Sequence, residues 1–405
     1  MKKPAAIILD GDQRSALAAA RSLGSEGVEV VVGASKLRSL ASSSKYCRDA
    51  FSYRPPDSDP GGFLSDVLEA AARREGSVLF PMTDMTLNEI LLNRGLFAGT
   101  ARIPFPDYAL YDALSDKESL FRQARGLGLP MPETLFTSDY MDRAKLCSEA
   151  SLLGFPLVVK ASHSRARAGE SYVSSSVAYV ENSLELEAIL GKAPYAGMRC
   201  LVQEKIRGPG IGVFLLARHG EVLARFAHCR IREKPPSGGV SVLCESIEPP
   251  ARAMETASML ISANAWHGVA MVEFKWDERE ARPKLIEVNG RFWGSLNLAI
   301  RAGVNFPFLL YRMALGFPAA GPEGYRIGVK SRWELGDLDH LLIRLMKDRD
   351  DPAVSGVRGN RLGAVASFMT DFFRPSVSHE VFRFGDPRPF FHEVGDYLRR
   401  IAHHG

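Results

Sequence analysis

"LIEVNGRFWGSLNLA" (residues 285–299) begins as an apolar strand and then sets a carboxylate, an amide and a guanidinium at its exit, as Glu287, Asn289 and Arg291. A strand that only packs has no use for that set. The run before it, "GVAMVEFKWDEREARPKLIEVNG", reads as an antiparallel hairpin that turns within "DEREARP". With Trp276 facing Lys284, Glu273 falls opposite Glu287. Alternation then predicts Met271, Glu273 and Lys275 on one face with Leu285, Glu287 and Asn289, and Val272, Phe274, Trp276, Ile286 and Val288 on the core side. Two carboxylates about 5 Å apart repel by roughly 3 kcal/mol at an effective dielectric near 20. A divalent cation between them reverses that sign. Two Glu oxygens and the Asn289 carbonyl form a hard all-oxygen set suited to Mg2+ held with substrate phosphates, with Mn2+ as the alternative ion. The plainer alternative pairs Glu273 with Lys275 or Lys284 on a solvated face. Convergence of Glu273, Glu287 and Asn289 favours the metal.

Composition sets the frame around this hairpin. At 405 residues the chain calls for two or three packed units. Hydrophobic residues at 46% and charged residues at 24% give the balance of a soluble globular protein. A net charge of +4 makes no case for a nucleic-acid or membrane partner. Cys47, Cys147, Cys200, Cys229 and Cys244 are scattered with no CxxC pair, which reads as reduced thiols and not as a disulfide or zinc framework. "MKKPAAIILDGDQRSA" has too short an apolar run before Asp10 for a signal peptide, and no later run approaches a membrane span. The expected location is the cytoplasm.

Along the chain, "AAIILD", "QRSALAAARSLGSEG" and "VEVVVGA" read as strand, helix and strand, and "FLSDVLEAAARREG" with "SVLFPMTD" repeats the step. Residues 1–112 are therefore expected to form a parallel, Rossmann-like sheet. Its first turn, "DGDQRS", lacks the G-x-G-x-x-G of a dinucleotide site. Ser115 and Glu118 fit an S-x-x-E capping box, which starts a helix at Asp116. Residues 113–316 then read as mixed α and β, with a hairpin turning at His219-Gly220. Residues 317–405 carry one strand, "YRIGVKSRW", and apolar-periodic helices such as "LDHLLIRLMKD".

"VEFKWD…PKLIEVNGRFWGS" resembles the metal-binding end of the ATP-grasp superfamily. There, two acidic residues and an asparagine on adjacent strands hold two Mg2+ against the ATP phosphates, and Glu273, Glu287 and Asn289 stand in those places. The resemblance implies a Rossmann-like pre-ATP-grasp unit, an ATP-grasp fold of two lobes with ATP between them, and a mostly helical C-terminal extension. It also implies phosphate-contacting lysines, matched by Lys117 at the linker helix and Lys160 at the end of "FPLVVK". An edge or snorkelling role is the alternative for each. The adenine hinge matches "LVQEKIRG", with Glu204 as side-chain candidate and Lys205 and Ile206 supplying backbone contacts. No G-x-x-x-x-G-K-[ST] occurs, so a P-loop is excluded. The family's glycine-rich phosphate loop corresponds to "ASHSRARAGESY", which has one glycine and two arginines, Arg165 and Arg167.

On the substrate side, "AHCRIREKPPSGGVSVLCES" places His228, Arg230 and Arg232 on one strand face. With Arg291 these arginines form a candidate clamp for a carboxylate or acyl phosphate; a solvated basic face is the alternative. Together with "EVNGRFWGS", this segment is similar to carbamoyl-phosphate-synthase-like ATP-grasp chains. The implied activity is that of an ATP-dependent carboxylate–amine ligase, with a small carboxylate and an amine as partners and a homodimer left open. A nucleotide-sensing protein without turnover and a nicotinamide-dependent oxidoreductase are the other readings.

Overall fold

Short β-branched runs alternate with alanine-rich helices through the first hundred residues, and they build a parallel sheet. The structure is a computed structural model that describes residues 3–163, 165–168, 171–174, 177–348, 351–354, 357, 359–374 and 376–404. The first sheet runs in the order Cys47–Ser52, Val30–Ala34, Ala6–Ile8, Ser77–Phe80 and Ala101–Arg102, all parallel. The strand Ala6–Ile8 lies between two neighbours that continue in opposite directions, which leaves a crevice at the carboxyl ends, the usual ligand position in such sheets.

The remaining chain builds two mainly antiparallel sheets with a cleft between them, the last pair of the larger one being parallel. A four-stranded sheet runs Ala178–Val180, Leu157–Ala161, Cys200–Glu204, Thr134–Phe136. Helices Arg143–Leu152 and Ser183–Leu190 cover it, and it has a core of its own around Leu157, Val159, Leu186 and Val202. The larger sheet runs Arg282–Asn289, Gly268–Asp277, Gly210–Arg218, Glu221–Lys234, Val240–Ser246, Lys330–Arg332, Val377–His379. Its core is continuous with one face of the first sheet, from Ala6 and Phe80 through Phe214 to Leu296. The hairpin turn falls where the sequence places it: Arg218 pairs with Glu221, and His219 and Gly220 both take positive φ, 49° and 89°, as a tight two-residue turn requires.

Three local expectations are corrected. The cap of helix Lys117–Gly126 is Asp116, whose carboxylate accepts from Ser119 N at 2.9 Å, because Ser115 is spent as the last residue of helix Tyr108–Ser115. Residues beyond 317 also supply two strands, Lys330–Arg332 and Val377–His379, to the large sheet. Third, Glu273 does face Glu287, but a bulge follows at Ile286, so Lys275 and not Trp276 faces Lys284. Leu285 consequently turns into the core at 0% exposure, and Ile286 turns into the cleft. Among the described residues no helix is long and apolar enough to cross a membrane.

Candidate active site

A cleft of about 760 Å³ opens between the four-stranded and seven-stranded sheets. The antiparallel strands Gly268–Asp277 and Arg282–Asn289 bring Met271, Glu273, Lys275, Ile286, Glu287 and Asn289 to its wall. Asn289 Nδ2 donates to Glu287 Oε1 at 3.0 Å and to Glu273 Oε1 at 3.3 Å, so one amide tethers both carboxylates. A half-turn of the amide presents Oδ1 to the carboxylates and completes an all-oxygen donor set, giving up the bond that Oδ1 accepts from Arg291 at 3.3 Å. Two opposed carboxylates plus that oxygen fit Mg2+.

Cations reach this pair from several elements. Lys117, first residue of its helix, places Nζ 3.8 Å from Glu287. Arg230 comes from the strand Glu221–Lys234, two strands away, and pairs with Glu273 and, at 3.0 Å, with Glu233. It crosses the intervening strand over Gly210, where a Cβ would lie 3.1 Å from Arg230 Cδ. Burial opposes the charge of Arg230, yet Glu273 and Glu233 outweigh it and hold the guanidinium protonated. Burial pushes Lys160 down to about 8, with Lys117 and Lys275 adding to the effect and Glu287 and Glu273 opposing it. The acids divide. Burial and the neighbouring Glu287 raise Glu273 against Arg230, whereas Lys117, Asn289 and Lys160 hold Glu287 low against its burial.

Arg291 lines the same cleft, and its fork is oriented by the first sheet's side of the molecule. Nε and Nη2 meet Asp84 Oδ2 at 3.0 and 2.9 Å, Nη1 donates to Phe292 O, and Nη2 donates to Asn289 Oδ1 at 3.3 Å. Asp84 is in turn held by Tyr111 Oη at 2.8 Å.

The adenine-hinge candidates Glu204, Lys205 and Ile206 also line the cleft, as does Lys160. Glu204 is engaged: it accepts from Lys284 Nζ at 2.6 Å, Arg279 Nη2 at 2.6 Å and Glu133 N at 3.1 Å. Lys205 Nζ sits 4.7 Å from the ring centre of Tyr179.

Arg232 is not brought into this site. The strand bulges between Arg230 and Arg232, so alternation skips a residue and Glu233 joins Arg230 in the cleft. Arg232 turns to Asp337 at 2.8 Å and Asp371 at 2.9 Å, in a separate cavity of about 390 Å³. The phosphate-loop expectation falls on a segment where Gly169 lies outside the described residues, as do the side chains of Arg165 and Arg167. Sequence reasoning missed Glu233 and Ile286 as cleft residues, because each depends on a bulge. It placed His228 on the right face but gave it no part in the site, although an apolar-flanked histidine two residues before Arg230 is a readable signal.

The chain is similar to several known proteins. A family model described as ATP-grasp in the biosynthetic pathway with Ter operon matches residues 198–333, which hold Glu204, Arg230, Glu273, Glu287, Asn289 and Arg291. A D-aspartate ligase from Enterococcus faecium (strain Aus0004) is 22% identical over 280 residues, 66% of this chain and 66% of that protein. Among solved structures, a biotin carboxylase β-γ-ATP complex from Campylobacter jejuni aligns with a TM-score of 0.63 at 16% identity, covering 81% of this chain and 75% of that one. An L-amino acid ligase from Bacillus licheniformis aligns with a TM-score of 0.58 at 16% identity, covering 78% and 75%. Residues 198–333 thus match an ATP-grasp family model, and the chain shares its fold with these solved structures.

Proposed function

We propose that the protein is an ADP-forming ligase that activates a small carboxylate with Mg-ATP as an acyl phosphate and joins it to an amine. The observation that carries this reading is the convergence, in one cleft, of the opposed pair Glu273 and Glu287 with Asn289 and with the cations Lys117, Lys160, Arg230 and Arg291. Mg2+ held by Glu273, Glu287 and Asn289 supplies charge neutralisation at the phosphate oxygens when bound. The chain's own groups do the rest. Lys205 and Ile206 offer backbone contacts to adenine, and Lys284 and Arg279 fix Glu204 beside them. Lys117 and Lys160 lie along the phosphates, and Arg230 orients Glu273. A substrate carboxylate oxygen attacks the γ-phosphorus and ADP leaves. The amine nitrogen then attacks the carbonyl carbon, the C–O bond to phosphate breaks, and the amine gives up a proton. Arg291 grips the acyl phosphate with its planar fork.

The relatives named D-aspartate ligase and L-amino acid ligase support C–N bond formation over other ATP-grasp outcomes. In this reading residues 1–112, 113–316 and 317–405 act as pre-ATP-grasp, ATP-grasp and C-terminal units, in the cytoplasm. The test is a screen of amino acids and small carboxylates, with hydroxylamine as surrogate amine, for stimulated ADP release. A carboxylate-dependent burst of ADP with hydroxamate is expected. Tight Mg-ATP binding with no substrate-dependent ADP would make the protein a nucleotide sensor.

A further inference from the structure

The helix Arg361–Phe373 turns its ionic contacts inward and its apolar side outward. Asp371 and Ser367 each meet the guanidinium of Arg232 at 2.9 Å, and the ring centre of Phe368 lies 4.1 Å from that of Arg332. With buried Ala364, these residues fall on one side of a helix of 3.6 residues per turn. Leu362, Val365, Met369 and Phe372 repeat at the same spacing on the other side and are exposed, Leu362 by 80%. A helix that only packs on a globular body shows the reverse arrangement.

The exposed stripe runs on into a band of aromatic rings. Ring centroids step from Phe373 to Phe372 at 5.2 Å, then to His379 at 5.9 Å and to Phe382 at 6.4 Å. From Phe382 the band divides, to Phe384 at 5.0 Å and through Phe390 at 5.3 Å to Phe391 a further 6.0 Å on. At such separations neighbouring rings touch, so the band is continuous from the end of one helix to the start of the next, Arg388–His404. Phe373, Phe384 and Phe391 are 71%, 91% and 67% exposed. Leu398 and Ile401 are exposed too, and helical spacing sets them on the same side as Phe391. A contiguous exposed apolar surface of this kind marks an interaction site.

Charge indicates what covers it. Among the described residues from 361 to 402 the acids turn inward: Asp371, Glu380, Asp386 and Glu393 are buried, and Asp396 is half-buried against Arg399. The exposed charges in that span are Arg361, Arg374, Arg388, Arg399 and Arg400. Before it, exposed Asp348 lies 3.7 Å from Arg361 and offsets that one charge. The +4 balance of the whole chain hides this segregation. A second copy of the chain, meeting this face with its own, would set arginine against arginine, which opposes association. Arginines beside exposed Phe and Leu side chains match an anionic bilayer instead. Its acyl boundary takes the rings, and its lipid phosphates take the guanidinium groups.

We propose that this C-terminal face is a docking surface that seats the protein on bilayers containing anionic lipid. It is independent of the ligase reading, since none of these residues lines the cleft between the sheets.

The test is co-sedimentation of the full chain with vesicles of phosphatidylcholine alone and of phosphatidylcholine with about 30% phosphatidylglycerol, at low and at high salt. Partitioning onto the anionic vesicles is expected to exceed that onto the neutral ones at least ~10-fold, and to weaken as salt screens the arginines. Phe373→Ser combined with Phe384→Ser removes two largely exposed rings. That variant should melt like wild type, while its partitioning drops about tenfold or more. Arg388→Gln with Arg400→Gln is the second variant should the first not fold, and its preference for anionic vesicles should fall to about threefold or less. Binding to neither vesicle, equal binding to both, or anionic binding unchanged in these variants would each overturn the proposal. A concentration-dependent dimer in sedimentation velocity that the phenylalanine variant breaks would also overturn it, because a second copy then covers the face.

Discussion

Two acid clusters gather at the two ends of one hairpin, and they have opposite chemistry. Near the turn, Glu204, Asp277 and Glu280 place ligand oxygens within 4.8 Å of one another, close enough for a metal ion. The ammonium of Lys284 already occupies that place, 2.6, 3.1 and 2.7 Å from the three carboxylates, and Arg279 adds a second cation. At the other end, the Asn289 amide bridges Glu273 and Glu287; Arg230 pairs with the outer side of Glu273 and Lys117 stands 3.8 Å from Glu287, so no cation lies between the two carboxylates. Proximity of carboxylates therefore does not identify a cation site. What decides is whether the fold has already placed a cation between them.

The largest expected effect comes from removing that supplied charge. Lys284→Met leaves buried Asp277 and nearly buried Glu204 without their central cation and should cost about 3–5 kcal/mol of stability, read from denaturant unfolding. A loss below about 1 kcal/mol would mean that Arg279 alone compensates the cluster. At the cleft, Glu287→Gln and Asn289→Ala should leave the unfolding midpoint close to wild type and lower ADP formation at least ~100-fold, about 2.7 kcal/mol of barrier. Wild-type turnover in Glu287→Gln would sink the metal assignment. A smaller effect is expected at Arg291. The lysine variant keeps the charge but loses the planar fork, so ATP affinity should hold while turnover drops about tenfold, or ~1.4 kcal/mol. Loss of ATP binding in proportion to rate would make Arg291 a nucleotide ligand.

The turn cluster should also respond to acid. Burial opposes ionisation of Asp277, but Arg279 and Lys284 outweigh it and hold the carboxyl down to about 2, from 3.8. The folded state then binds fewer protons than the unfolded state between those values, so this contribution is present above about pH 4 and is lost as pH falls toward 2. Asp277→Asn should flatten the stability profile in that window, and an unchanged slope would show that other carboxyls control acid unfolding.

The fold was readable because periodicity survives local error: strand–helix alternation yields the parallel sheet, whereas hairpin counting opposes the glutamates only because the bulge at Ile286 cancels its one-residue error at Lys284. Side-chain faces past a bulge were not. One extra residue at Ile286 exchanges Leu285 for Ile286 in the cleft, and another beyond Arg230 exchanges Arg232 for Glu233. Bulges are set by how a strand must twist to meet its neighbours, and two neighbours in space can be far apart in sequence. The same limit explains Asp116: Ser115 satisfies the local cap pattern, but the preceding helix consumes it. Asp116 instead gathers Ser162 Oγ at 2.6 Å and Arg199 at 2.6 Å, partners that lie many residues away.

The contrast between the clusters rests on one claim, that the Glu273–Glu287 pair needs an added cation and the Glu204 cluster does not. Thermal melts with ATP alone and with Mg-ATP, on wild type, Glu287→Gln and the hinge-cluster control Glu280→Gln, test it directly. Mg-ATP at about 100 times its dissociation constant should stabilise wild type by about 2.7 kcal/mol. ATP without Mg2+ should stabilise it far less. The Mg2+ dependence should survive in Glu280→Gln and vanish in Glu287→Gln. Equal shifts with and without Mg2+ in wild type, or a dependence that disappears with Glu280 instead, would contradict the account.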